Sequence, residues 1–198
     1  MNGYEKRVES KKKQIKKCAL ELLDRYEIER ITIFQIAENA KVSRATIYKH
    51  FGDKENLYTE IFNEIITDSI KNIEMVMDGD GNFYEKYKRI QELKASVFKL
   101  SESAFTNINM DRHGEFIGYI SFEQSTRIRE LTDQLLNQGR DEGAISKQIS
   151  NESIHDLIKI LRSGMTMLTV KKDPMINDME RLMMVNKLFL NAIKDNNN

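Results

Sequence analysis

The stretch Thr32–Leu57, TIFQIAENAKVSRATIYKHFGDKENL, holds two short helical patterns set end to end. Apolar residues recur three and four apart, first at Ile33, Ile36, Ala37 and Ala40, then at Ile47 and Phe51, with Val42 between. Each pattern is too short to be stable alone. The first opens with a capping box, in which Thr32 can accept from the N–H of Gln35 while the Gln35 side chain reaches back. The second opens at Ser43, whose hydroxyl can cap the N–H of Ala45 or Thr46. Lys41, Val42 and Ser43 alone separate them, so the two helices must meet steeply over one small core, a helix-turn-helix. With Ile47 and Phe51 turned inward, Arg44, Ala45, Tyr48 and Lys49 face outward, with Thr46 and His50 at the flanks. These are residue types that read bases and hold phosphates.

The segment SRATIYKHFGDKENLY, preceded by ITIFQIAENAKV, resembles the N-terminal DNA-binding domain of the tetracycline-repressor (TetR) family. The match rests on Ile36, Ala37, Ala40, Val42, Ser43, Tyr48, Phe51, Lys54 and Leu57, and covers roughly the first quarter of the chain. One departure is Lys41, where many members place Gly; a left-handed backbone there costs a non-Gly residue ~1 to 2 kcal/mol. The resemblance implies an N-terminal DNA-binding domain, residues 1–53, and a dimerisation and ligand-sensing domain, residues 54–198. It also implies a one-component regulator, most simply a repressor that binds a palindromic operator as a homodimer and leaves it on binding a small-molecule effector.

Composition agrees with an all-α chain of that kind. The 198 residues are 40% hydrophobic with one proline and nine glycines, and alternating β-branched runs are absent. No apolar run approaches the ~18 residues of a membrane span, and the N-terminus is too charged for a signal peptide, so a cytoplasmic protein is expected. The single Cys18 shares a helical stripe with Ile15, Leu22 and Tyr26 and reads as a packed structural thiol rather than a redox sensor. Zero net charge conceals an asymmetry: residues 1–54 hold 13 Lys+Arg against 8 Asp+Glu, and the remainder holds 18 against 23. The basic end is the end with the helix-turn-helix, which favours a polyanion partner.

Further helices are expected at about 8–26, 54–77, 83–105, 115–142 (ended by Gly139 or Gly143), 151–171 and from an Asp173–Pro174 start to 193, after a frayed residues 1–7. TNINMDRHG, just before the helix expected at 115, can hold a short helix of its own. DGDGN at 78–82 lacks the Gly and Glu that a calcium loop needs at its sixth and twelfth positions, and reads as a turn. Phosphate-binding loops, dinucleotide fingerprints and nucleophile elbows do not occur, so neither an enzymatic role nor a cofactor is expected. Glu152 and His155 form a single Glu-x-x-His, whereas a di-iron bundle needs two and further carboxylates. A helical adaptor that binds only protein would account for the C-terminal part but leave the basic helix-turn-helix without a role.

Base readers are expected at the start of the second helix of the motif, at Arg44, Ala45 and Thr46 beside the capping Ser43. Tyr48, Lys49, His50, Lys54 and Thr32 are expected at phosphates, the last two at helix N-termini. Apolar residues of 151–171 and 176–193 exceed what one small domain can cover and predict a homodimer through these helices. An apolar or aromatic effector is expected among residues 83–168, walled by Phe98, Phe105, Phe116, Tyr119, Phe122 and Met165. Arg112, His113 and Glu123 would orient it.

Overall fold

A computed structural model describes residues 2–23, 25–26, 28–100, 120–170 and 178–194, with backbone alone for 96–100, 162–163, 165–170 and 178–182. The elements in order are α1 (Gly3–Leu23), a 3-10 turn (Ile28–Arg30), α2 (Ile33–Asn39), α3 (Arg44–Phe51), α4 (Lys54–Asp78) and α5 (Phe83–Leu100). After them come α6 (Phe122–Asp141), α7 (Asn151–Val170) and α8 (Asp178–Ile193). The architecture is all-α, an N-terminal helix-turn-helix followed by a helical bundle.

Two cores organise these helices. The first gathers Ile15, Ala19, Leu22 and Leu23 of α1, Ile36 and Ala37 of α2, and Ile47 and Phe51 of α3. Leu57, Tyr58, Ile61 and Phe62 of α4 complete it, and the Tyr58 hydroxyl donates to the Ala19 carbonyl at 3.1 Å. Burial pushes that phenol far above its ordinary pKa, so it stays a donor. The second core holds Phe83, Tyr87 and Ile90 of α5, Leu135 and Leu136 of α6, Ile154 of α7 and Phe189 and Ile193 of α8. Ile73, Val76 and Met77 of α4 pack on it, so one helix of 25 residues, ~38 Å long, runs from the first core to the second.

Polar straps between α4 and α6 tie this connecting helix down. Gln124 donates to the Asn63 carbonyl and the Thr67 hydroxyl, at 3.4 and 3.0 Å, and Arg127 meets Glu74 at 2.7 Å. Gly139 sits inside α6, where a Cβ would lie 2.8 Å from both Ile145 and Phe83. It is therefore a close-approach residue, and Gly143, with φ of 72°, is the one that follows the helix end.

The helix boundaries differ from the sequence expectation at α6, which begins at Phe122 behind the capping Ser121 rather than at 115, and at α1, which ends at Leu23 rather than at 26 and begins five residues earlier than Val8. Asn2 caps it: its side chain accepts from the N–H groups of Tyr4 and Glu5, and Glu5 accepts in return from the Asn2 N–H. Local capping thus offsets the polar character that suggested fraying. The expected segment TNINMDRHG and the Asp173–Pro174 helix start lie outside the described residues. Cys18 packs half-buried against the first core, and burial raises its thiol pKa. No described helix is long and apolar enough to cross a membrane.

Candidate nucleic-acid interface

The outward surface of α3 follows from how its ends are fixed. Thr32 caps α2 as its sequence suggests, accepting from the Gln35 N–H at 3.2 Å while its own N–H donates to Gln35 Oε1 at 2.8 Å. Ala40 and Val42 then donate to carbonyls of α2, at Ile36 and Ala37, and turn the chain back. Lys41 carries the turn at φ of 52°, a left-handed position usually given to glycine, and does so with its side chain exposed. Ser43 begins α3: its hydroxyl accepts from the Thr46 N–H at 3.1 Å and lies 2.8 Å from the Thr46 hydroxyl.

Burial of Ile47 and Phe51 sets the rotation of α3. Arg44, Ala45, Tyr48 and Lys49 are exposed, and Thr46 and His50 are half-buried at the edges of that face. Lys12 and Lys16 of α1 hold the far end of α3 in place, with their ammoniums 5.3 and 5.8 Å from the Phe51 ring centroid. Both also pair with Glu60 of α4, at 3.7 and 2.9 Å, and Lys16 with Glu64. His50 has its pKa lowered by burial and then by the positive charges of Lys12, Lys49 and Lys11. A field of that sign attracts a phosphate.

Lys54 is placed differently from the sequence expectation. Its ammonium donates to the carbonyls of Ile28 and Ile31, at 2.8 and 2.9 Å, and so fastens the 3-10 turn before α2 to the start of α4. Carbonyl acceptors at 23 and 26 residues' distance cannot be seen in a local pattern. The anion-attracting property of this position rests with the backbone instead: Asp53 caps the Asn56 N–H at 2.7 Å, and the earlier N–H groups of the helix remain for a ligand. Gln14 is likewise invisible to local sequence reasoning; its side chain donates to the Ala40 carbonyl at 3.0 Å and ties α1 to the turn.

Residues 15–61 match the model of the bacterial regulatory proteins of the tetR family. The N-terminal domain is a TetR-family DNA-binding domain. An uncharacterized HTH-type transcriptional regulator of Bacillus subtilis (strain 168), YxbF, is 37% identical over 57 residues, 29% of this chain and 15% of that protein. Beyond the matched residues the likeness is one of fold. The fatty acid degradation regulator FadR of Bacillus halodurans superposes with a TM-score of 0.65 at 19% identity, covering 91% of this chain and 94% of its own. FadR of Bacillus subtilis, in complex with stearoyl-CoA, gives 0.62 at 18%, covering 91% and 98%.

The expected effector residues are only partly among the described residues. Phe105, Arg112, His113, Phe116 and Tyr119 lie outside the described residues, as do the side chains of Phe98 and Met165. Phe122 and Glu123 open α6 and are exposed, Phe122 to 87%. An open groove of about 460 Å³ runs between α4 and α5, lined by Asn72, Met75, Val76, Arg89, Glu92 and Leu93. The Glu-x-x-His pair is committed elsewhere: His155 meets Asp133 at 2.8 Å, and Glu152 faces Arg129 at 3.9 Å.

Proposed function

We propose that the chain is a cytoplasmic one-component transcriptional repressor, a homodimer that reads a palindromic operator through α3 and is released by an apolar or aromatic small molecule. The observation that carries this reading is the exposed face of α3, Arg44, Ala45, Tyr48 and Lys49, on a helix whose opposite side is fully packed. Arg44 and Ala45, in the first turn, enter a major groove deepest, where a guanidinium matches the two acceptors of guanine and a methyl meets thymine. Tyr48, Lys49, His50 and the N-terminal N–H groups of α2 and α4, beside Thr32 and Lys54, then hold the flanking phosphates.

The dimer is supported by apolar surface left on α7 and α8. Ile160 is 67% exposed, Met183 67%, Met184 64% and Leu188 62%, while Phe189, Ile193 and Ile154 on the other sides of these helices are buried. Among the described residues nothing lies within 4 Å of a Cβ built at Gly164, which leaves room for a close approach from outside. A four-helix interface with a second copy covers this surface and sets two reading heads about one helical turn of DNA apart, ~34 to 36 Å.

Effector control is supported by α4, which packs in both cores, and by its straps to α6. The stearoyl-CoA complex of a protein of this fold is a precedent for a ligand with a long apolar chain. A ligand that prefers one position of α4 changes DNA affinity by coupling of ~1 to 3 kcal/mol. Mobility shift of genomic fragments by the full chain, repeated with ligands found by thermal shift, tests the reading. Sequence-specific shifts reversed by a stabilising ligand are expected; a chain that retards no fragment contradicts it.

A further inference from the structure

The first half of α1 is a helix with little to pack on. Every residue that α1 buries, Ile15, Ala19, Leu22 and Leu23, lies in its second half. Among residues 2–14 only Val8 and Lys12 are even half-buried. Yet Asn2 and Glu5 cap its start, and the segment projects ~16 Å from Gln14 back to Gly3. It carries Lys6, Arg7, Lys11, Lys12 and Lys13 against Glu5 and Glu9. The match to the family model begins only after it, at residue 15.

Two contacts and one electrostatic influence fix where this projection lies. Gln14 is bound to the Ala40 carbonyl in the turn of the motif, and Lys12 stands over Phe51, the last residue of α3. The Lys11 and Lys12 charges both reach His50, at the end of the α3 face. Arg7, Lys11 and Gln14 are spaced four and three apart and form one stripe, the stripe that meets the motif. Arg7 uses its Nε on the Gly3 carbonyl and keeps its terminal nitrogens; Lys11 has no ion-pair partner among the described residues. Lys6 and Lys13, seven apart, lie about a third of a turn round the helix from that stripe, on the side away from the buried residues of α1.

We propose that the N-terminal half of α1 is an arm of the DNA interface, with Arg7 and Lys11 on backbone phosphates that flank the half-site beyond the end of α3. This rests on α3 being the reading helix, and it adds contacts outside the bases that α3 can reach. The arm carries no base preference of its own, since its donors are aimed at phosphate; its effect is affinity and salt dependence. Duplex length becomes a determinant of affinity, because a duplex trimmed to the recognised bases offers the arm nothing to hold.

The test uses the full chain and a duplex that it selects from a random-sequence pool, once trimmed to the selected bases and once with random flanks. Wild type should prefer the flanked duplex, and Arg7→Gln/Lys11→Gln should bind both equally. Removing one phosphate-bound cation lowers the steepness of log affinity against log salt by ~0.9, so this variant should be shallower by about two per subunit. Lys6→Gln/Lys13→Gln removes the same charge from outside that stripe and should leave flank preference intact. Unchanged thermal midpoints check that α1 is still folded. Equal effects of the two pairs, or no effect of the first, overturn the arm while leaving α3 as reader. Failure of wild type to select any duplex overturns both.

Discussion

The two ends of the molecule are finished to different degrees. In the N-terminal domain, α2, α3 and α4 are each capped by Thr32, Ser43 or Asp53, and the first core encloses most of the apolar residues, Phe34 of α2 being the main one left in solvent. What stays exposed on α3 is polar or small apart from Tyr48. In the C-terminal bundle, α7 and α8 bury one side in the second core and leave Ile160, Met183, Met184 and Leu188 in solvent. A self-contained head and an uncovered apolar flank are what a reader of paired half-sites needs. In the proposed dimer the head works as a rigid unit, and the flank is covered by another copy.

Breaking the flank should have the largest effect. Met184→Glu/Leu188→Glu places charge on the uncovered surface, and sedimentation should show monomers where wild type shows dimers. Without the linked second head, operator binding weakens by ~10²- to 10⁴-fold. A variant that stays dimeric would move the interface elsewhere.

Within the head, Lys54 tests whether rigidity or charge matters at the start of α4. Lys54→Met keeps the apolar stem and removes both hydrogen bonds to Ile28 and Ile31, so stability should fall by at most ~1.5 to 3 kcal/mol for each charge-assisted bond. Chemical denaturation measures it. Unaltered stability together with a reduced salt slope would return Lys54 to the role of a phosphate clamp.

The contrast between what local sequence shows and what it hides follows the same division. Thr32 with Gln35, Ser43 with Thr46 and Asp53 with Asn56 are three residues apart, so their capping geometry is readable from the chain. Asn2 with Glu5 has the same spacing but stands apart from any apolar pattern, which begins only at Val8, so the true start of α1 is hidden. Lys54 with Ile31, Gln14 with Ala40 and the Phe83 N–H with Glu142 join residues 23, 26 and 59 apart, and no local pattern announces them. The interior of the C-terminal bundle is legible as helices and as apolar stripes, but stripes do not say which side faces core, ligand or partner.

A smaller effect of opposite sign belongs to the turn. Lys41→Gly should relieve the left-handed strain and stabilise by up to ~1 to 2 kcal/mol, offset in part by the greater freedom of glycine in the unfolded chain. Because Lys41 is exposed, the gain should appear in the thermal midpoint without a change in base preference. Destabilisation would mean that the lysine makes a contact that outweighs its backbone strain.

The most direct test of the central claim, that the exposed face of α3 reads DNA, compares Arg44→Ala with wild type on the selected duplex and on its single-base variants. Fluorescence anisotropy should show binding weakened by ~1 to 3 kcal/mol on the preferred sequence and a flattened preference at one base pair of each half-site. Base preference left intact at every position, with affinity reduced evenly across all sequences, would contradict the placement of Arg44 at a base edge and with it the orientation of α3.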